Sequence, residues 1–257
     1  TRFMGFNSIA FIIAKGLAPA AGIRLKNEIS FNAAIGATVF VSLVAMALVF
    51  FLSNIESVKK EEDDSNFIRV LLNKSVYLPT IVLFCGMVTF GAISSMLPVF
   101  AAAKNIQNIE YFFVINTMVV VLSRVIMGRW SSKYLEQLIA ISLITLTLSF
   151  IAMSFVQNFT QLVMVACIYG VGFALLFPLM TSILVLNISG VSRSMALGIY
   201  TAAFDLGVGA GVIISGLSKY IDFMWLYLSM SVLPFIGFLI YVLVYLPYIR
   251  KKPLSAN

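Results

Sequence analysis

The stretch LVMVACIYGVGFALLFPLMTSILVL, from Leu162 to Leu186, contains no charged residue. A helix needs roughly 17–25 apolar residues to cross the hydrocarbon core of a bilayer, where only hydrogen bonds within the helix can satisfy the backbone. The stretch therefore predicts a transmembrane helix. The whole chain has the same character, since 61% of its 257 residues are hydrophobic and only 11% are charged. Soluble domains have about 25% charged residues, so a soluble globular protein is excluded.

Seven other stretches have a similar length and apolar character, so eight transmembrane helices are expected. The stretches do not alternate apolar and polar residues as barrel strands do, which predicts an all-α polytopic helix bundle. The eight expected helices are approximately Asn7–Ile23, Phe31–Leu52, Tyr77–Val99, Tyr111–Met127, Leu138–Val156, Leu162–Leu186, Met195–Leu217 and Met224–Leu246.

The composition excludes several kinds of catalytic and metal site. The chain has no histidine, and Ser-His-Asp catalysis, Cys-His catalysis and H-E-x-x-H metal sites all require one. Cys85 and Cys167 lie in separate apolar stretches and form no C-x-x-C pair, so neither a disulfide framework nor a thiolate metal site is expected. The sequence predicts that the protein is not an enzyme and binds neither a cofactor nor a metal.

The basic residues are scattered between the apolar stretches, although the formal net charge is +7. Lysine and arginine are enriched in the cytoplasmic loops of membrane proteins. If Arg250-Lys251-Lys252 is cytoplasmic, every second loop is also cytoplasmic, and these loops hold most of the basic residues. The charge pattern thus predicts a multi-pass plasma-membrane protein with both ends in the cytoplasm. The expected surroundings are a lipid bilayer and not a nucleic acid.

Two stretches of the chain have similar sequences and suggest an internal repeat. Arg2-Phe-Met-Gly5 is followed by Gly16, and Arg193-Ser-Met-Ala196 is followed by Gly207, each glycine fourteen residues after its arginine. If these are corresponding helices, the first expected helix repeats as the seventh, which gives a period of six helices. Two helices before a linker and six after it then predict four further helices ahead of Thr1, so the chain is expected to be a fragment.

A charged linker divides the two helices from the six. It contains Lys59-Lys60-Glu61-Glu62-Asp63-Asp64 and ends in an apolar and basic piece typical of a short surface helix. A regulatory or partner-binding role is the alternative to a plain linker. The predicted parts are residues 1–52, the last two helices of an N-terminal six-helix half; 53–75, the cytoplasmic linker; and 76–257, a C-terminal six-helix half with a basic tail.

Two six-helix halves joined by a charged cytoplasmic loop resemble the major facilitator superfamily, with this chain as helices five to twelve of twelve. The family's antiporter motif on helix five, G-x8-G-x3-G-P-x2-G-G, matches at three of its six positions. Those positions are held here by Gly5, Ala14, Ala18, Pro19, Gly22 and Ile23. Small residues let helices approach closely and proline allows a bend. A packing groove common to helix bundles is the alternative explanation for the small residues.

A second resemblance lies after the fourth expected helix. Arg124-x-x-x-Gly128-Arg129-x-x-Ser132-Lys133 resembles the second-half copy of the family's cytoplasmic G-x-x-x-D-R/K signature. The resemblance implies gating roles for Arg124, Arg129 and Lys133. The sequence departs from the signature at Ser132, where the family usually has an acid. Simple cytoplasmic anchoring is the alternative for Arg129 and Lys133.

Two more stretches resemble helices of this family. Asp205-Leu-Gly207-Val-Gly209-Ala-Gly211 is similar to a helix-eleven pattern of its drug and metallophore exporters. Gly170-x-Gly172 and Pro178 resemble its helix ten, which can bend and lines the cavity. The resemblance implies packing or bending roles for Gly5, Pro19, Gly22, Gly170, Gly172, Pro178, Gly207 and Gly211.

Ionisable residues inside membrane helices are functional candidates, because burying them in lipid is costly. Asp205 is the candidate for proton binding and release, with a structural ion pair or backbone hydrogen bond as the alternative. Lys15 is a candidate for pairing with an anionic substrate or an acid, or it snorkels along a cavity wall. Arg124 is the third candidate, and its side chain is also long enough to reach the cytoplasmic interface near Gly128.

The resemblance implies a secondary active transporter that exports a small organic molecule in exchange for protons by alternating access. The candidate cavity residues are Thr89, Ser94, Asn116, Tyr169, Thr181 and Tyr200. Proton-coupled uptake, a non-transporting membrane sensor and a membrane-embedded enzyme are the alternatives. An enzyme would need clustered catalytic groups, and a sensor would need a folded soluble domain. The partners predicted are the substrate, protons and lipid, and no oligomeric state is predicted.

Overall fold

The computed structural model describes residue 14 and residues 17–50, 67–128, 134–188 and 193–251. These residues are mostly helical and include no strand, which confirms the all-α prediction for this part of the chain. The helices are α1 (17–28), α2 (Phe31–Val49), α3 (Phe67–Leu71), α4 (Lys74–Ala103), α5 (Glu110–Gly128), α6 (Leu135–Ser154), α7 (Phe159–Leu186), α8 (Arg193–Ser215), α9 (Phe223–Ile240) and α10 (Leu246–Lys251).

Six helical segments of the described chain are long and apolar enough to cross a membrane. They are Phe31–Val49, Lys74–Ala103, Leu135–Ser154, Phe159–Leu186, Arg193–Lys219 and Phe223–Arg250. A 3-10 turn, Gly216–Lys219, extends α8, and a π-helical segment, Tyr241–Tyr245, joins α9 to α10. Of the other two expected helices, Asn7–Ile23 lies partly outside the described residues, and Tyr111–Met127 forms the 19-residue α5. The count of eight therefore remains a prediction.

Polar side chains cap the beginnings of four helices. Asn73, Asn158 and Asp222 accept hydrogen bonds from backbone N–H groups in the first turns of α4, α7 and α9, at 2.9, 3.0 and 2.8 Å. Ser30 does the same for α2 at 3.1 Å. The first N–H groups of a helix lack partners within it, so each cap satisfies one of them. These caps mark where the apolar stretches become helices.

Helices α4 to α9 form one packed bundle. Helix α4 packs against α7, α8 and α9, while α6 packs against α7 and α9 and α5 packs against α7. Aromatic side chains fill the centre: Phe100 and Phe150 contact the ring of Tyr227 edge-on, with centroids 5.4 and 5.8 Å apart. The short α3 lies on α4 and α8, where Val70 is buried. Helix α2, by contrast, buries none of its residues.

Glycines let α4 and α8 come into backbone contact. A Cβ added at Gly207 would lie 2.9 Å from the carbonyl oxygen of Phe84, and one at Gly211 would overlap the carbonyl of Val88. The two glycines are one turn apart on the same face of α8. Small residues with this spacing allow membrane helices to pack closely. The seam they form fixes which face of α8 points into the bundle.

Candidate functional site

Pro178 lies inside α7 and is the centre of the candidate site. Proline has no backbone N–H, so Pro178 cannot donate the helical hydrogen bond to the carbonyl of Ala174 four residues earlier. Arg124 of α5 supplies a donor instead, because its Nε lies 2.9 Å from the Ala174 oxygen. The half-buried Arg124 side chain thus contacts the backbone of the neighbouring helix. The sequence had left open that it reaches the cytoplasmic interface near Gly128.

A second side-chain donor meets α7 next to this proline. The hydroxyl of Tyr200, on α8, donates to the carbonyl oxygen of Phe177 at 3.0 Å. Thr181 donates to the same oxygen at 2.7 Å. Tyr200 is fully buried and Thr181 is half-buried. The structure therefore brings these two candidate cavity residues together on one carbonyl.

An aromatic row runs along the same helix. Tyr169, Phe173 and Phe177 follow one another at four-residue intervals and so share one face of α7. Phe173 stacks on Tyr169 with centroids 5.7 Å apart and on Phe90 of α4 at 5.0 Å. Phe177 meets the ring of Tyr200 at 5.5 Å. Our reading of the sequence missed the phenylalanines, although this four-residue spacing was a signal that could have identified them.

Thr89 and Tyr169 lie in the interior of the bundle, between α4 and α7. Both are fully buried, and their hydroxyl oxygens are 3.5 Å apart. Ser94, five residues further along α4, is half-buried and donates to the carbonyl of Phe90 at 2.8 Å. In this conformation Thr89 and Tyr169 contact each other and are not exposed to an open cavity.

Asn116 of α5 is buried against α7. Its Oδ1 lies 3.0 Å from where a Cβ at Gly170 would be, and it has no hydrogen-bond partner among the described residues. Gly172 similarly lets α7 approach α6, since a Cβ there would be 2.9 Å from the carbonyl of Ser142. The two glycines place α7 between α5 and α6, with a buried amide oxygen at one of the contacts.

Asp205 lies on α8 away from the glycine seam. Its side chain is exposed and makes neither an ion pair nor a hydrogen bond with any described residue. Residues 205 and 207 are two positions apart, so they point to roughly opposite faces of a helix with 3.6 residues per turn. The seam with α4 therefore leaves the Asp205 carboxylate on the outside of the six-helix bundle.

The remaining candidates lie in or near the first part of the chain and in one loop. In α1, Pro19 is half-buried and nothing lies within 4 Å of a Cβ built at Gly22. The others, namely Gly5, Lys15, Arg129 and Lys133, lie outside the described residues. No group of three or more acidic, cysteine or histidine residues that could hold a metal ion occurs within the described ranges.

A polar cavity of about 320 Å³ lies at the opposite end of α7 from Leu186. It is formed by the connections between α4 and α5 and between α6 and α7. Its lining residues are Lys104, Asn105, Ile106, Gln107, Asn108, Gln157, Asn158 and Phe159. Asn105 and Asn108 have φ angles of 55° and 60°, a left-handed conformation that asparagine tolerates well. This cavity is separate from the Pro178 region.

Comparison with known proteins points to one family. The sequence profile described as Major Facilitator Superfamily matches residues 105–257, which is more than half of the chain. A curated relative, the staphylopine export protein of Staphylococcus aureus strain Mu50, is 26% identical over 258 aligned positions. The alignment covers 90% of this chain and 60% of that protein. The chain thus spans about 60% of the length of its exporter relative.

Proposed function

Because this chain belongs to the major facilitator superfamily, we propose that it forms part of a secondary active transporter that exports a small organic molecule in exchange for protons. The family and the exporter relative indicate a membrane transporter and not an enzyme. With six membrane-length helices among the described residues, the chain is a multi-pass membrane protein. The export direction is proposed from the relative, which is an export protein for staphylopine.

The proposed organisation follows the two-half pattern of the sequence. Residues 1–52 are the end of an N-terminal half, 53–75 a cytoplasmic linker, and 76–257 the C-terminal half. Two observations are compatible with it: α4 to α9 pack as one bundle, and α2 buries none of its residues. In this proposal the eight membrane helices of the chain correspond to helices five to twelve of a twelve-helix protein, and α5 corresponds to its helix eight. The protein lies in the plasma membrane, and both ends of the chain are in the cytoplasm.

The observation that carries the proton-exchange mechanism is the position of Asp205. It is a carboxylate in a membrane-length helix, it lies outside the α4–α8 seam, and it has no ion pair with a described residue. A charged group in such a helix is costly unless it faces protein or water. We place it on the face of α8 that lines the substrate pathway, where a change of surroundings between conformations would let it bind and release a proton.

The substrate pathway we propose lies along α4, α5, α7 and α8. Its polar contributors are Thr89, Ser94, Asn116, Tyr169, Thr181 and Tyr200, and its aromatic contributors are Phe90 and Phe173. The half-exposed faces of both phenylalanines support this placement. Lys15, Arg129 and Lys133 keep their proposed roles in substrate pairing and in gating on the cytoplasmic side. Arg124 acts at the Pro178 bend.

A transport assay on the complete protein tests the proposal. The protein is reconstituted into liposomes, a pH gradient is imposed across the membrane, and transport of staphylopine is measured with the gradient in either direction. Antiport predicts that staphylopine accumulates on the acidic side, because protons leave that side as the substrate enters it. Accumulation on the alkaline side would indicate the uptake symporter instead. No gradient-dependent movement would contradict a proton-driven transporter of this substrate.

A further inference from the structure

Pro178 creates a backbone acceptor that the helix itself cannot satisfy. The carbonyl of Ala174 is buried among apolar side chains, and an unpaired carbonyl is unfavourable in such surroundings. Arg124 resolves this, with its Nε 2.9 Å from the Ala174 oxygen. A hydrogen bond from a charged donor is stronger than one between neutral groups. The helical hydrogen bond that Pro178 removes from α7 is therefore replaced by one from a side chain of α5.

This bond differs from the one it replaces because it joins two helices. A backbone hydrogen bond within α7 would persist wherever the helix moved. The bond from Arg124 breaks when α5 moves away from the Ala174 carbonyl of α7. In a conformation that lets water enter between them, water can hydrogen-bond both the guanidinium and the carbonyl. The contact can thus be made in one conformation and released in another at modest cost.

Helix α8 also contacts α7 close to Pro178. The Tyr200 hydroxyl donates to Phe177, whose carbonyl lies three residues after that of Ala174. Beyond the proline, Arg193 at the start of α8 donates through Nη2 to the carbonyl of Val185 at 3.2 Å. Phe177 and Val185 of α7 are therefore hydrogen-bonded to α8, while the Ala174 carbonyl is hydrogen-bonded to α5.

We propose that Arg124 is a positioning residue that sets the angle of the α7 bend by donating to the carbonyl freed by Pro178. Its release allows the segment Pro178–Leu186 to move with α8 and away from α5. The role of Arg124 in transport rests on the proposed function, whereas its role in positioning α7 does not. The motion would open and close one end of the substrate pathway, the cytoplasmic end in the proposed topology.

The test measures the distance between α5 and α7 without requiring transport. In the complete protein, Cys85 and Cys167 are replaced by alanine, and nitroxide labels are attached to I126C and L186C, both at exposed positions near the same ends of their helices. Distances are then recorded by double electron–electron resonance. The labelled protein with Arg124 intact should give one main distance between the two labels. Arg124→Met, which lacks a donor, should add a second population with a longer distance.

Rescue variants separate this role from general packing. Pro178→Ala restores an N–H that can reach Ala174, so adding it to Arg124→Met should remove the second population. Arg124→Lys, which keeps a donor, should fall between the two. The matched control is Val125→Ala, at the neighbouring exposed position, which should leave the distances unchanged.

Three results would overturn the proposal. The first is an unchanged distance distribution in Arg124→Met, and the second is a broad distribution that persists in the double variant. If Arg124→Met alone does not fold, the double variant provides the test. The third contradicting result is then that adding Pro178→Ala does not restore folding. A gradient-driven transport signal in the wild-type protein together with any of these results would leave the proposed function standing.

Discussion

Glu136, in the first turn of α6, and Arg250, in the last turn of α10, form an ion pair between distant parts of the chain. Nη2 of Arg250 lies 2.7 Å and Nε lies 3.1 Å from the same Glu136 carboxylate oxygen. Tyr241 donates its hydroxyl to the backbone carbonyl of Glu136 at 3.2 Å. Helix α10 is thereby held against the beginning of α6.

Breaking this ion pair should have a small effect on stability. The Arg250 side chain is 62% exposed and that of Glu136 is 33% exposed, and an exposed pair contributes at most about 1 kcal/mol. We expect Arg250→Gln to lower the thermal unfolding midpoint slightly at low salt and hardly at all in 1 M salt, because salt screens exposed charges. Differential scanning fluorimetry in detergent measures this. A large loss that persists at high salt would show that packing of the arginine stem, and not charge, is responsible.

The glycine seam between α4 and α8 should tolerate no side chain. Gly207→Ala would place a methyl group 2.9 Å from the carbonyl oxygen of Phe84, and forcing extra atoms into a packed contact costs typically about 1–3 kcal/mol. We expect a clear fall in the thermal unfolding midpoint. Gly209→Ala is the matched control, since nothing lies within 4 Å of a Cβ there and alanine favours helix. Equal destabilisation by the two variants would mean that α4 and α8 do not pack as the structure shows.

Two buried tyrosines offer a paired test of hydroxyl hydrogen bonds. Tyr200→Phe removes the donor to Phe177 and should cost about 0.5–1.5 kcal/mol, the usual net value of such a bond. Tyr227→Phe removes a buried hydroxyl that has no partner in the described structure, so it should be neutral or stabilising. Chemical denaturation of both variants and the wild type gives the two differences. The reverse order would contradict the assignment of the Tyr200 bond.

Much of the fold was predictable from the sequence because membrane helices depend on local composition. The run from Leu162 to Leu186 falls entirely within α7, and the polar residue Asn158 marks where α7 begins. Pro178 indicated a helix that can bend, and the structure shows that the carbonyl four residues earlier, that of Ala174, accepts its hydrogen bond from a side chain. Which side chain would satisfy that carbonyl was not predictable. The Arg124 contact depends on how α5 packs against α7, and residues 124 and 174 are 50 positions apart in sequence.

The candidate cavity residues show the same limit. Thr89, Tyr169 and Asn116 were chosen because they are polar residues in apolar helices, a property that does not reveal which way a side chain points. Thr89 and Tyr169 proved to face each other inside the bundle. The direction of a helix face is fixed by close contacts such as that of Gly207 with Phe84, and these are made between segments far apart in sequence.

Neutralising Asp205 should separate proton coupling from folding. Asp205→Asn keeps the size of the side chain but removes the charge, and the carboxylate makes no ion pair with a described residue that its loss would break. We therefore expect the free energy of unfolding to change by no more than about 0.5 kcal/mol, as for other exposed positions, and the thermal unfolding midpoint to stay close to that of the wild type. Staphylopine transport driven by a pH gradient should be lost.

The controls for Asp205 are a conservative change and a neighbour. Asp205→Glu keeps the ionisable group and should retain part of the gradient-driven transport. Leu206→Ala, at the next position, which is also exposed, should retain all of it. Gradient-driven transport that survives unchanged in Asp205→Asn would exclude this residue as the proton-binding group.

Asn116 provides a test of the substrate pathway in which stability and transport should respond in opposite directions. Its Oδ1 is buried against α7 with no hydrogen-bond partner among the described residues, and an unsatisfied buried oxygen destabilises a fold by about 1–3 kcal/mol. Asn116→Leu replaces the amide by apolar atoms in the same branched arrangement, so the thermal unfolding midpoint should stay the same or rise. If the amide binds substrate in the transport cycle, uptake of staphylopine into liposomes should fall in the same variant.

The control variant is Thr117→Val, at the neighbouring buried position. The Thr117 hydroxyl donates within its own helix, to the Phe113 carbonyl, so this variant should leave transport intact. A variant that loses both stability and transport would assign Asn116 to packing, because a residue reserved for substrate should not be needed to hold α5 against α7.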